Sequence, residues 1–83
     1  MVSRVHRVLV ERFEYDYIWL SELASDLASK AGYTVEWNVP DYAVGVRFSV
    51  GTVAGILTEL AFYANAKIVF DHSHNVIRFN KRD

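Results

Sequence analysis

Residues 20–37 read LSELASDLASKAGYTVEW and contain both periodicities from which the fold is predicted. The first part has the three-four spacing of an apolar helical stripe, formed by Leu20, Leu23, Ala24, Leu27, Ala28 and Ala31. Gly32 follows directly and suits the left-handed residue that often closes a helix. From Tyr33 to Asn38 apolar and polar side chains alternate, as in a strand. We therefore predict a helix over residues 20–31 and a strand immediately after it.

The same two patterns recur towards the C-terminus. A second helical stripe over residues 52–64 consists of Val53, Ile56, Leu57, Leu60, Ala61 and Ala64, with Thr52 as its N-cap. Before it, Val44, Val46 and Phe48 share one face of a strand. After it, residues 67–70 and 76–79 predict a hairpin, because the polar stretch 71–75 is typical of a turn.

The N-terminal residues permit two interpretations. Val2, Val5, Leu9 and Phe13 fit a helical stripe, but the abundance of valine favours a strand over Val8–Tyr15. With that strand, the chain is predicted to be an α+β sandwich of order β-α-β-β-α-β-β, with two helices packed on small mixed sheets. The 83 residues suffice for one domain, 1–83, in which residues 1–7 are expected to be a flexible lead-in and 8–81 the fold.

Composition argues against several classes of function. Nine Lys and Arg against ten Asp and Glu give no basic excess, so we expect no nucleic-acid partner. The chain has no cysteine, which excludes disulfides, thiolate metal sites and a cysteine nucleophile. No stretch approaches the roughly 18 apolar residues of a transmembrane helix. No nucleophile elbow or phosphate-binding glycine motif is present, so we expect neither enzymatic activity nor a cofactor.

His72 and His74 form a His-x-His pair, a spacing that puts two imidazoles on one side of a strand, where they can bind a transition metal. Only His6 or an acidic residue is available as a further ligand. An exposed polar turn is the preferred interpretation, and no metal site is expected.

Aromatic residues are numerous for a chain of this length. Phe13, Tyr15 and one of Tyr33 or Trp37 are expected in the core. Tyr17, Trp19 and Tyr42 lie at predicted element ends, where half-exposed aromatic side chains are typical interface anchors. The alternative is that these three cover the edge of the core.

Several segments together resemble a known family. They are Phe13-Glu14-Tyr15-Asp16, the first helix with its exit Ala31-Gly32-Tyr33, the helix from Thr52, and Asn75-Val76-Ile77-Arg78-Phe79. This pattern resembles the N-terminal ring domain of secretins and the STN signalling domain of TonB-dependent receptors. The resemblance covers residues 8–81. Within that superfamily it is nearest to the DotD- and TraH-like lipoproteins of type IVB secretion and conjugation systems, through Ser29-Lys30-Ala31-Gly32-Tyr33 and Tyr63-Ala64-Asn65-Ala66.

The resemblance implies a non-enzymatic structural subunit of a bacterial cell-envelope secretion, conjugation or pilus complex. Its expected partners are other subunits of the secretion complex and further copies of itself in a ring. It implies a periplasmic, outer-membrane-associated location, without a membrane span in this chain and with any lipid anchor outside it. The alternative is an STN-like periplasmic signalling domain that binds an anti-sigma regulator.

Overall fold

Seven short strands and two helices follow one another in the part of the chain that the computed structural model describes, residues 4–82. The helices are α1 (Leu20–Ser29) and α2 (Val53–Tyr63). The strands are β1 (Leu9–Val10), β2 (Phe13–Trp19), β3 (Thr34–Trp37), β4 (Ala43–Phe48), β5 (Gly51–Thr52), β6 (Ala66–Asp71) and β7 (Val76–Lys81). A 3-10 turn, Arg4–His6, precedes β1. Neither helix is long and apolar enough to cross a membrane.

Helix α1 confirms the predicted stripe, since all six of its apolar residues are buried. The helix ends at Ser29, two residues earlier than predicted, and the chain then turns through Gly32 with a φ of +78°. The amide of Tyr33 donates to the carbonyl of Ala28 at 3.0 Å, a bond typical of glycine-terminated helices. The positive φ is what favours glycine at this position, because residues with a side chain rarely adopt it.

Helix α2 also confirms its prediction. The hydroxyl of Thr52 accepts a hydrogen bond from the Gly55 amide at 3.1 Å and so caps the first turn. The six predicted apolar residues are buried. A Cβ atom on residue 55 would lie only 3.1 Å from that hydroxyl oxygen. Glycine at this position therefore leaves room for the capping hydroxyl.

Three small sheets result from strand pairing. Strand β7 lies in the middle of one of them, parallel to β3 and antiparallel to β6. The other two are the antiparallel pairs β2–β4 and β1–β5. Strands β3 and β4 are consecutive in the chain but belong to different sheets. The chain is thus a compact α+β domain with two helices packed against small mixed sheets.

The single strand predicted over Val8–Tyr15 is wrong in its extent. The chain forms β1, leaves the ladder at Glu11 and Arg12, and re-enters it as β2, which continues to Trp19. Leu9 pairs with Thr52 and Phe13 with Phe48, so the register is the same on both sides of the gap. The two ladders are therefore one antiparallel ribbon interrupted in the middle, a feature that local periodicity does not reveal.

The core lies between the two helices and the inner faces of the sheets. Its largest fully buried side chains are Phe79, Leu20, Leu23, Leu57, Leu60, Ile77, Val5 and Val53. Val5 belongs to the N-terminal turn, which contacts α2. The expected lead-in 1–7 thus includes a residue that packs in the core, and its residues 1–3 lie outside the described part of the chain.

Candidate protein-interaction surface

The ribbon formed by β2 and β4 has one face towards the core and one towards solvent. Ile18 pairs with Val44 and Tyr15 with Val46, and these pairs are on the inner face. Trp19 pairs with Ala43 on the opposite, outer face. Tyr17 is two residues before Trp19, and side chains two apart on a strand point the same way. Tyr17 and Trp19 therefore share the outer face.

A bulge in β2 lies beside these two aromatic residues. The register between β2 and β4 shifts by one residue between Tyr15 and Ile18, so Asp16 and Tyr17 both lie opposite Gly45. A Cβ atom on Gly45 would lie 3.0 Å from the carbonyl oxygen of Asp16, so the bulge requires a residue without a side chain there. As a result no side chain on β4 stands across from Tyr17.

Tyr17 and Trp19 are the aromatic residues of the outer face that solvent reaches most. The exposed fractions are 74% for Tyr17 and 51% for Trp19. Neither ring stacks on another aromatic ring among residues 4–82. These side chains contribute little to the core, so they are available to a partner.

Tyr42 is in a different situation. Its hydroxyl donates a hydrogen bond to the carbonyl of Tyr63 at the end of α2, and its own carbonyl accepts from the amide of Leu20 at 3.1 Å. Tyr42 therefore connects the end of α2 to the start of α1, although its side chain is itself 40% exposed. The structure brings Tyr17 and Trp19 together and gives Tyr42 contacts within the fold.

An ion pair borders the outer face. Glu14 and Arg47 are cross-strand neighbours, and a guanidinium nitrogen lies 2.8 Å from the carboxylate. Both side chains are largely exposed, so the pair contributes little stability. A partner can rearrange it at low cost.

On the inner side, an open groove of about 640 Å³ lies between the β1–β2 segment and α1. Phe13 and Tyr15 line it from the strand, and Leu23 and Leu27 from the helix. The expectation that Tyr15 belongs to the core is wrong, since its side chain is 40% exposed in this groove. Phe13, also expected in the core, is half-buried. Of the other two candidates, Tyr33 is buried and Trp37 is half-buried. Sequence periodicity could not reveal the groove, because it depends on how α1 crosses the ribbon.

The predicted turn at residues 71–75 is confirmed between β6 and β7. The Asp71 carboxylate accepts hydrogen bonds from the Ser73 hydroxyl at 2.8 Å and from the His74 amide at 3.2 Å. It also contacts the His74 ring at 2.9 Å and an Arg78 guanidinium nitrogen at 3.1 Å. These hydrogen bonds, that from Ser73 foremost, hold the pKa of the Asp71 carboxyl well below its usual range. Asp71 therefore organises the turn.

His72 and His74 make different contacts within this turn. Nδ1 of His74 bonds to Asp71, whereas Nδ1 of His72 bonds to the hydroxyl of Tyr33 at 2.7 Å. Within residues 4–82, no three His, Cys, Asp or Glu side chains come together as a metal-binding group. The two histidines of the His-x-His motif are thus engaged separately.

Comparison of the chain with models of protein families, with curated proteins and with solved structures found no significant match.

Proposed function

We propose that this domain is a non-enzymatic protein-interaction subunit of a bacterial cell-envelope secretion, conjugation or pilus complex. In this proposal the domain has the β-α-β-β-α-β-β sandwich fold of secretin ring domains, and it is located in the periplasm at the outer membrane. One observation carries the interaction function: Tyr17 and Trp19 lie exposed side by side on the outer face of an open two-stranded ribbon. The resemblance of residues 8–81 to the ring domains supports the cellular setting.

Tyr17 and Trp19 leave a large part of their aromatic surface in water. A tyrosine or tryptophan buries about 150–250 Å² when it is fully covered. Removing apolar surface from water stabilises a complex by roughly 25 cal/mol per Å². Tyrosine and tryptophan are also enriched among the few residues that dominate binding energies. The outer face of the ribbon therefore has the composition of an interface centre.

Open strand edges offer a second means of attachment. Within the described residues, β2 and β4 pair only with each other, so each has one edge without a neighbour. Such edges accept a strand from another chain. A domain of this size offers roughly 800 Å² or less per partner, so a single contact is weak. Repetition around a ring would supply the remaining affinity through avidity.

To test this proposal, Tyr17 and Trp19 are each replaced by alanine in a tagged form of the protein that is expressed in its source organism. Tyr17→Ala and Trp19→Ala are expected to abolish co-purification of cell-envelope proteins, because each removes exposed aromatic surface. The free energy of unfolding should stay within about 1 kcal/mol of the wild type, since neither ring packs in the core. Quantitative mass spectrometry and a denaturant titration supply the two measurements.

Phe62→Ala is the matched control, because Phe62 is an aromatic residue with an exposed fraction of 68% on α2. It should leave co-purification intact. If both ribbon variants still co-purify with the envelope proteins, the proposed surface is wrong. It is also wrong if the two variants fail to fold, because the rings would then belong to the core. Recovery of an anti-sigma regulator as the only specific partner would replace the structural role by the signalling one.

A further inference from the structure

Two histidines that are far apart in the sequence meet beside the β6–β7 turn. The ring centroids of His6, from the N-terminal 3-10 turn, and His72 are 6.0 Å apart. Phe70 lies against both, with centroids 5.9 Å from each, and its ring is nearly parallel to that of His72. Both imidazoles are exposed to solvent. The site is therefore open to a small ligand from outside.

Tyr33 determines which nitrogen of His72 is available. The Tyr33 hydroxyl lies 2.7 Å from Nδ1 of His72, and Tyr33 itself is buried. When Nδ1 carries the proton, it donates to the Tyr33 oxygen and leaves the lone pair of Nε2 free. A metal-binding histidine usually donates its second ring N–H to a carboxylate, a backbone carbonyl or a water, and the Tyr33 hydroxyl oxygen would take that role here.

The spacing of the two rings suits a shared ion. A zinc–imidazole bond of about 2.0–2.1 Å puts each ring centroid about 3.2 Å from the metal. At the tetrahedral angle that zinc prefers, two rings on one ion have their centroids about 5.2 Å apart. The observed separation is 6.0 Å, so binding requires the two exposed rings to approach each other by about 0.8 Å through side-chain rotation.

We propose that His6 and His72 bind a divalent ion of the zinc class, with water in the remaining coordination positions. Imidazole is a preferred ligand of Zn²⁺, Ni²⁺ and Cu²⁺, whereas Mg²⁺ and Ca²⁺ prefer oxygen. The proposed ligands differ from the His-x-His pair of the sequence. His74 is hydrogen-bonded to Asp71, and the histidine that lies beside His72 is His6. The proposed site has two protein ligands, because no three His, Cys, Asp or Glu side chains come together among residues 4–82.

The ion would connect the N-terminal turn to the β6–β7 hairpin. Since a ligand that binds only the folded state stabilises it, added Zn²⁺ should raise the melting temperature of the purified protein. Isothermal titration with Zn²⁺ alone is expected to show one site per chain. Mg²⁺ should produce no heat of binding and no shift.

The variants identify the ligands. His6→Ala and His72→Asn are expected to abolish Zn²⁺ binding, while His74→Ala retains it. Asparagine at position 72 keeps a polar atom near Nδ1 for Tyr33 and removes Nε2, so the fold is preserved. His6→Gln serves as a second variant should alanine disturb the turn. Circular dichroism without metal verifies folding in each case.

Nitrogen-15 NMR of the imidazole rings tests the role of Tyr33 as a positioning residue. Zinc should shift the Nε2 signal of His72 in the wild type, and Tyr33→Phe should lose this preference for Nε2. Three outcomes overturn the proposal: no Zn²⁺ binding by the wild type, binding that survives His6→Ala, or binding that His74→Ala abolishes. The last would assign the metal to the His-x-His motif instead.

Discussion

Asp41 shows how a single exposed residue contributes to the fold from outside the element it stabilises. Trp19, at the N-cap position of α1, makes no side-chain capping bond. Asp41, which lies in the loop before β4, caps the helix instead. Its carboxylate accepts hydrogen bonds from the backbone amide of Ser21, at 3.1 Å, and from the Ser21 hydroxyl. A negative charge at this end also interacts favourably with the helix dipole.

Asp41→Ala is therefore expected to lower the free energy of unfolding by about 1 kcal/mol, the usual effect of losing a helix cap. Asp41→Asn keeps an acceptor but loses the charge, so its effect should be smaller. Urea titrations of both variants measure the difference. An unchanged midpoint for Asp41→Ala would mean that the amide of Ser21 is equally well satisfied by water.

At the scale of elements, the two helices depend on their apolar stripes. Leu27 and Leu60 are almost fully buried on facing sides of the core, which α1 and α2 share. Each replacement by alanine should cost about 2–5 kcal/mol, because it removes buried methyl groups and leaves a cavity. Ser25→Ala and Glu59→Ala, on the exposed sides of α1 and α2, are the controls and should remain within about 0.5 kcal/mol. A loss below that value at either leucine, measured by denaturant titration, contradicts the helical register.

For the whole molecule, β7 is the strand on which the three-stranded sheet depends. It pairs with β3 on one side and β6 on the other, and its Ile77 and Phe79 are fully buried. A chain that ends at Asn75 should therefore have no cooperative thermal transition by circular dichroism. A chain that ends at Lys81 retains every residue of β7 and should unfold cooperatively. Cooperative unfolding of the shorter chain would show that the helices and the β2–β4 ribbon are stable without this sheet.

Features that depend on neighbouring residues could be predicted from the amino-acid sequence alone. The stripes of α1 and α2, the left-handed Gly32, the Thr52 cap and the turn after Asp71 were all predictable. Each arises from interactions within a few residues, so its periodicity or its capping residue is visible in a short window. The exposure of Tyr17 and Trp19 was expected from their position near the start of a helix, and the structure agrees.

The pairing of the strands and the contacts between distant side chains became visible only in the folded chain. Strand β3 joins β7 rather than β4, Asp41 caps a helix that begins before it, and His6 lies beside His72. Tyr15 alternates like a core residue, but α1 leaves it open to a groove. The physical reason is that these contacts join residues separated by long stretches of chain. Their free energy depends on how helices and sheets pack together, and no short window of sequence contains that information.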